Sequence, residues 1–294
     1  MHLHYFQSKH GNFGDDLNIW IWDFLLPGWQ KASPNVYLIG VGTLLNENRL
    51  RGFRKKEILV LGSGVGYGQS APLRPFPPMW DFRAVRGPLS ASALGLAEQI
   101  GIIDPAALLP DIPEFQGIRR GGPPVFVPHH LSVKRHDWKL SCEKAEMLFV
   151  SPEDDSKAVI RKIASAPLVI AEAMRAAIIA DAFGVPWVPV QIGSQFNTGK
   201  WNDWCASLDL SVIIPPMFPF LDSIVDRFAP RRGQRMQLGI RQKIESQILG
   251  NALKTASRRK PALSCRAILE EKKTRFKTIL DKVVEDYEIY SPLK

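Results

Sequence analysis

Residues 167–191, PLVIAEAMRAAIIADAFGVPWVPVQ, decide the fold. The run PLVIAE is a continuous apolar stretch of the kind found in a strand buried on both faces. The small and apolar residues that follow suit a buried helix, Gly184 supplies a stop, and PWVPVQ returns as a second strand. A strand, a helix and a strand in 25 residues make a parallel βαβ unit. Arg175 stands near the start of that helix, facing the positive end of the peptide dipoles. An anion offsets this contact, and helix N-termini bind anions in their own right. Solvent, Glu172 or Asp181 would offset it equally well.

The same alternation extends to both sides. Upstream, VFVPHH and AEMLFV read as strands, and SPEDDSKAVIRKIASA reads as a helix capped by Ser151. Nearer the N-terminus, HLHYFQ, NVYLIGVGTLL, EILVLGSGVG and FRAVRG are strands. GNFGDDLNIWIWDFLL is a glycine loop entering an amphipathic helix, and PLSASALGLAEQIG is a helix with Pro88 in its first turn. The Pro- and Gly-rich DPAALLPDIPEFQGIRRGGPP between the two series reads as a linker. The expected architecture is α/β, with doubly wound domains over 1–118 and 119–228 and a basic helical C-terminal extension over 229–294. A chain of 294 residues is long enough for two cores.

Composition narrows the class. With 45% hydrophobic and 23% charged residues, the chain matches ordinary globular proteins. It has no apolar run of about 18 residues or more, as a spanning helix requires. MHLHYFQSKHGNFGDD lacks the apolar region of a secretory signal. Cys142, Cys205 and Cys265 lie far apart and form no CxxC, so a reducing cytoplasm is expected. No HExxH motif joins the six histidines, and no metal site is expected. Residues 229–294 carry 16 Lys and Arg against 7 Asp and Glu, the whole net charge of +9. Met236, Ile240, Ile244, Ile248 and Leu249 form a stripe there, suited to core packing or to the anionic inner face of a cell membrane. No nucleic-acid-binding motif accompanies the charge, so nucleic acid is not an expected partner.

In doubly wound sheets ligands sit at the carboxyl ends of strands. Arg86, in VRGPLS, occupies that place in the first domain as Arg175 does in the second. Two such guanidinium groups, converging, suit one phosphate or carboxylate ligand. GSGVGYG, residues 62–68, follows a strand but has the wrong spacing for GxGxxG and runs into SAPLRPFPP rather than a helix, which argues against a dinucleotide. Its glycines, Gly64 among them, suit a wall where backbone approaches ligand.

GNFGDDLN, VLGSGVG, VRGPLS, DPAALLPD, VPHH, SPEDD, AEAMRAAIIADAFGVPWVPV and KWNDW occur in this order over roughly residues 1–205. This ordered set resembles the polysaccharide pyruvyl transferases, closest to the ketal pyruvate transferases of succinoglycan-type exopolysaccharide assembly. The resemblance implies two Rossmann-like halves in a glycosyltransferase-B-like arrangement. It implies phosphoenolpyruvate as donor, the sugar of a lipid-linked oligosaccharide as acceptor, and no nucleotide cofactor. In the family pattern the helix before the GxP turn usually opens with histidine, often as Arg-x-His. Counting back from Gly184 places that histidine at Arg175 and the arginine at Ala173. Arginine stays protonated at any working pH and is a poor proton shuttle. The resemblance thus implies either that another residue moves protons or that activity is reduced or lost.

The candidate proton carriers are His129 and His130, with Asp15 beside the N-terminal glycine turn and Arg175 itself in the family's catalytic position. Arg86, Arg175, Gly64 and Lys200 are candidate donor ligands; Asn12, Asp16, Asn18 and Trp201 are candidate acceptor ligands. One of Asp15 and Asp16 is expected to cap a helix, and Trp201 and Trp204, three apart, suit either a sugar face or a core. Three functions remain open on these residues: a ketal pyruvyl transferase, a silent relative that binds without turnover, and a nucleotide-sugar glycosyltransferase.

Overall fold

The computed structural model describes residues 1–68, 73–192, 196–214 and 235–289, without the side chains of 235–238, 240 and 241. The chain forms two compact units. Unit 1 comprises Met1–Gln116, Asn197–Val212 and Ser264–Lys294; unit 2 comprises Gly117–Phe196 and Ile213–Leu263.

Unit 1 is built on four parallel strands: β1 (His2–Leu3), β2 (Val36–Ile39), β3 (Glu57–Leu61) and β4 (Trp80–Ala84), side by side in chain order. Between β1 and β2 the chain makes α1 (Phe13–Asp16) and α2 (Ile21–Leu25), and between β2 and β3 it makes α3 (Glu47–Leu50). Asn12 and Asn46 cap α1 and α3 by accepting from the Gly14 and Arg49 N–H groups. After β4, α4 (Pro88–Leu94) begins with Pro88, whose missing N–H is no loss at that position. Ile39, Leu45, Ile58, Val60, Ala91 and Leu94 are among the residues that form its core.

Unit 2 has a second parallel sheet of β5 (Val125–Val127), β6 (Leu148–Phe149), β7 (Val169–Ala171) and β8 (Trp187–Pro189), in the order β6-β5-β7-β8. The connections are α5 (Trp138–Ala145), α6 (Ser156–Ser165) and α7 (Met174–Ala182). The chain leaves β5 toward one side and returns as β7 on its other side. That reversal is the switch point at which open α/β sheets bind ligands. The described strands of unit 1 run in simple sequence and show no such reversal, so the doubly wound order holds for the second sheet alone. Ser151 caps no helix: α6 starts at Ser156 and is capped by Asp155, which accepts from the Ala158 N–H at 2.9 Å.

Two further expectations change. Most of the supposed linker lies inside unit 1, where Asp104 caps a 3-10 turn over Pro105–Asp111 whose residues 105–109 are buried. The basic extension is shared rather than separate. The helix Arg235–Ser257 buries Leu249, Leu253 and Ala256 against Trp138, Cys142 and Phe126 of unit 2. The helix Arg266–Asp286 buries Leu269, Phe276, Leu280 and Val283 in unit 1, where Lys273 meets Asp111 at 2.7 Å. The apolar stripe is thus core at Leu249, with Ile248 packed beside it, while the side chains of Met236 and Ile240 lie outside the described residues. Among the described residues no helix is long and apolar enough to cross a membrane.

Candidate functional site

Unit 1 presents its strand ends through the segments after β1, β2, β3 and β4. Arg86, just past β4, is fully buried. Its Nε donates to Asp203 Oδ2 at 2.9 Å, and Nη2 lies 2.9 Å from the same oxygen. Nη1 donates to Thr43 Oγ1 at 3.0 Å and toward the Gly42 carbonyl at 3.5 Å, and Nη2 donates to the Val65 carbonyl at 2.6 Å. Hydrogen bonds thus leave from Nε and from both terminal nitrogens of the guanidinium. Asp203 lies on α8 (Thr198–Ser207) and also accepts from the Ser90 N–H and hydroxyl, at 2.7 and 2.5 Å. Arg86 is therefore an internal strut of unit 1, which corrects its reading as an open anion grip.

Gly64 follows from the same strut. A Cβ there would fall 2.4 Å from Arg86 Cζ and 2.8 Å from Ser90 Oγ, so the glycine makes room for the arginine rather than for a donor. Gly87 has a parallel reason: its Cβ would strike the Asp203 carbonyl at 2.1 Å, where α8 crosses the strand end.

The acceptor candidates divide. Asn18 is buried and bridges backbone: its amide donates to the Asp15 and Val41 carbonyls, and its oxygen accepts from the Val41 N–H and from Trp22 Nε1. Trp201 is 1% exposed and meets Trp204 edge-on at 6.2 Å, leaving no face for a sugar. Both are corrected to structural roles. Asn12, not an aspartate, caps α1; its side chain donates to Asp15 Oδ2 at 2.6 Å and its N–H to Asp16 Oδ2 at 3.0 Å. Asp15 and Asp16 remain half-buried at this edge. Lys200 Nζ donates to Tyr67 Oη at 2.5 Å and lies 4.2 Å from the ring centroid. Burial, with Asp15 adding and Arg86 opposing, pushes the Tyr67 phenol above its ordinary value, so it stays protonated near neutral pH. Tyr67 is 42% exposed and was missed in the sequence, where it is a lone aromatic in a glycine loop.

In unit 2 the residues leaving β5 and β7 flank the switch point. His129 and His130 follow β5, with ring centroids 4.3 Å apart. The Leu131 N–H donates to His129 Nδ1 at 3.3 Å. Glu172, the first residue after β7, is 1% exposed; it accepts from the His129 N–H and from Ser132 Oγ, each at 2.9 Å. Arg175 is the second residue of α7, half-buried. Asp181, buried in the same helix, accepts from Trp187 Nε1 at 3.0 Å. One edge of unit 2 thus holds two imidazoles, a guanidinium and a helix N-terminus, a set able to neutralise an anion and to move a proton. Glu172 was passed over in the sequence except as a partner for Arg175. The signal was there, since an acid in the apolar run PLVIAEAM needs a donor if it is buried.

No family model matches the chain. It is 39% identical to succinoglycan biosynthesis protein ExoV of Rhizobium meliloti (strain 1021), in an alignment covering 98% of this chain and 100% of the relative. The chain therefore belongs to the family of that succinoglycan biosynthesis protein, the succinoglycan-type pyruvyl transferases that its ordered motifs resemble.

Proposed function

We propose that this protein transfers a pyruvyl group from phosphoenolpyruvate to two hydroxyls of one sugar in a lipid-linked exopolysaccharide repeat unit, forming a ketal. The observation that carries the reading is 39% identity, over nearly the full length, to a succinoglycan biosynthesis protein, joined to a basic, histidine-bearing edge at the switch point of unit 2. The methylene carbon of the donor takes up a proton and its C2 gains oxocarbenium character. One sugar hydroxyl bonds to C2, the bond from C2 to the phosphate oxygen breaks, and the second hydroxyl closes the ring. Of the two hydroxyl protons lost, one balances the new methyl group and the other leaves on phosphate.

Arg175 is assigned to the donor's phosphate or carboxylate, at the N-terminus of α7, where charge stabilisation contributes most. His129 and His130 are assigned to proton transfer, a role worth about 10²–10⁴-fold in rate. No nucleotide or metal takes part in this scheme. A cytoplasmic location suits phosphoenolpyruvate, and the basic residues of 229–294 suit the inner membrane face where such acceptors reside. Acceptor-dependent phosphate release from phosphoenolpyruvate tests the reading. A thermal shift by phosphoenolpyruvate, with none by nucleoside diphosphates, separates it from nucleotide-sugar glycosyl transfer.

Arg175 favours a second reading, a relative that binds the donor but turns it over slowly, because arginine stands where the family pattern places its histidine. Phosphate release by the wild type and by Arg175→His decides between them. Equal rates remove position 175 from proton transfer.

A further inference from the structure

We propose that the run RLRGFRKK, residues 49–56, and the neighbouring segment 75–79 form a membrane-contact surface on unit 1 that rests on the anionic phospholipid headgroups of a bilayer. The inference deepens the transferase reading, whose acceptor is lipid-linked, and rests on it for its purpose. It concerns a different part of the chain from the basic residues of 229–294.

Residues 49–56 hold five Lys and Arg and no acid, although the chain before residue 229 is neutral in sum. With Glu47 and Glu57 counted, five cations against two acids leave +3 over 47–57. Arg49, Arg51, Lys55 and Lys56 are exposed, the Arg51 side chain by 73%. Glu47 offsets part of the charge, 3.2 Å from Arg51 Nε and 3.8 Å from Arg54 Nη2. Two of the cations lie on aromatic rings. Arg49 Cζ sits 4.5 Å over the Phe6 ring; Lys56 Nζ sits 4.8 Å over the Tyr37 ring and donates to Tyr37 Oη at 3.1 Å. Phe53 meets Tyr37 edge-on at 5.1 Å and His4 at 4.3 Å. The charged heads therefore stand over half-buried rings that hold them before any ligand arrives, and binding has fewer side chains to order.

An apolar tip lies beside the cations. Arg54 Nη1 donates to the Pro75 carbonyl, Trp80 Nε1 to the Phe53 carbonyl and the Ile58 N–H to the Met79 carbonyl, each at 3.3 Å. These bonds join the chain entering β3 to the chain entering β4. Met79 is 44% exposed, and Pro78 and Arg74 are exposed with it. Cations flanked by an exposed thioether and a proline suit a bilayer interface, where headgroup charge draws the cations and the apolar tip enters the boundary layer. A nucleic-acid backbone would use the cations alone. Residues 54–56 precede β3 and 75–79 precede β4, so this surface lies at the amino ends of the strands, away from the carboxyl ends that hold ligands.

Sedimentation with phosphatidylcholine vesicles, with and without phosphatidylglycerol, tests this without substrate. The wild type is expected to bind the anionic vesicles at about 0.1 M salt, to leave them at about 1 M, where the screening length falls to about 3 Å, and to ignore the neutral ones. The combined variant Arg51→Gln, Lys55→Gln, Lys56→Gln should bind about 10²-fold more weakly, at about fivefold per cation. Arg119→Gln, Lys139→Gln, Arg161→Gln, an equal loss of exposed charge from unit 2, should stay within about threefold of the wild type. Equal losses in the two variants, or a wild type that ignores anionic vesicles, overturn the proposal. So does duplex DNA binding that the first variant loses while its vesicle binding is unchanged. Hydrogen exchange on the wild type gives a reading free of variants: amides of 51–56 and 75–79 should slow on anionic vesicles, and unchanged exchange there overturns the assignment. Turnover separates this surface from the reaction. The first variant should release phosphate at the wild-type rate with a soluble acceptor and more slowly with a vesicle-embedded one. Absence of turnover by the wild type with both acceptors would refute the transferase reading and leave the vesicle result to judge the surface.

Discussion

Asp203 Oδ2 lies 2.9 Å from both Nε and Nη2 of Arg86, and the two side chains, 117 positions apart in sequence, are 2% and 0% exposed. The pair fastens α8 to the strand ends of unit 1. Removing one partner leaves the other charge buried without compensation, which costs about 3–5 kcal/mol. Asp203→Ala should therefore lower unfolding stability by about that amount. Arg86→Met with Asp203→Leu, which removes both charges, should lose distinctly less. Urea unfolding of the single and double variants checks the order; a double variant as unstable as Asp203→Ala contradicts it.

Gly64→Ala should cost about 1–3 kcal/mol, the range for overpacking a filled core. Its methyl would sit 2.4 Å from Arg86 Cζ, so the guanidinium must leave its seat. Gly121→Ala meets nothing within 4 Å and serves as the comparison, with an expected change within about 0.5 kcal/mol. Equal melting temperatures for the two variants would mean that Arg86 yields without loss.

His4 should make unit 1 sensitive to mild acid. Burial, and then the nearby Arg49 charge, hold its imidazole below the ordinary value of 6.5. The unfolded chain binds the proton more readily, so stability is full above pH 6.5 and is lost as pH falls through the depressed folded value. Thermal melts from pH 7.5 downward should decline in this window, and His4→Phe should flatten the decline. An identical pH profile in the variant assigns the loss to other groups.

Arg175→Met should weaken phosphoenolpyruvate binding by roughly 10–150-fold, the equivalent of one charge-assisted contact of about 1.5–3 kcal/mol. Titration calorimetry reads this directly. Unaltered affinity would leave Arg175 on the solvated surface of α7.

The strands and helices were legible because burial leaves a periodic trace in the residues themselves: PLVIAE and EILVLG are apolar on both faces, as a covered parallel strand must be. Strand order left no such trace. The chain-order sheet of unit 1 and the reversal at β5 depend on which side each crossover takes. The helix pattern in 235–257 was equally readable, yet periodicity defines an apolar face without naming what covers it. The site was legible as residue types at strand ends, not as roles. Arg86, Asn18 and Trp201 have the chemistry of ligand-binding groups and the same chemistry satisfies buried partners, which here are Asp203, Val41 and Trp204. Glu172 was legible as a candidate partner for Arg175 but not for its role at the β5 turn, because two of its donors, 40 and 43 residues away, are a hydroxyl and a backbone N–H that leave no motif.

The proposed reaction consumes phosphoenolpyruvate only while a sugar is modified. Incubation of the wild-type protein with phosphoenolpyruvate and a lipid-linked, unpyruvylated oligosaccharide should release one inorganic phosphate for each ketal found on the acceptor by mass spectrometry, and none without acceptor. Phosphate release that ignores the acceptor, or an acceptor that returns unmodified after donor binding has been demonstrated, contradicts the account.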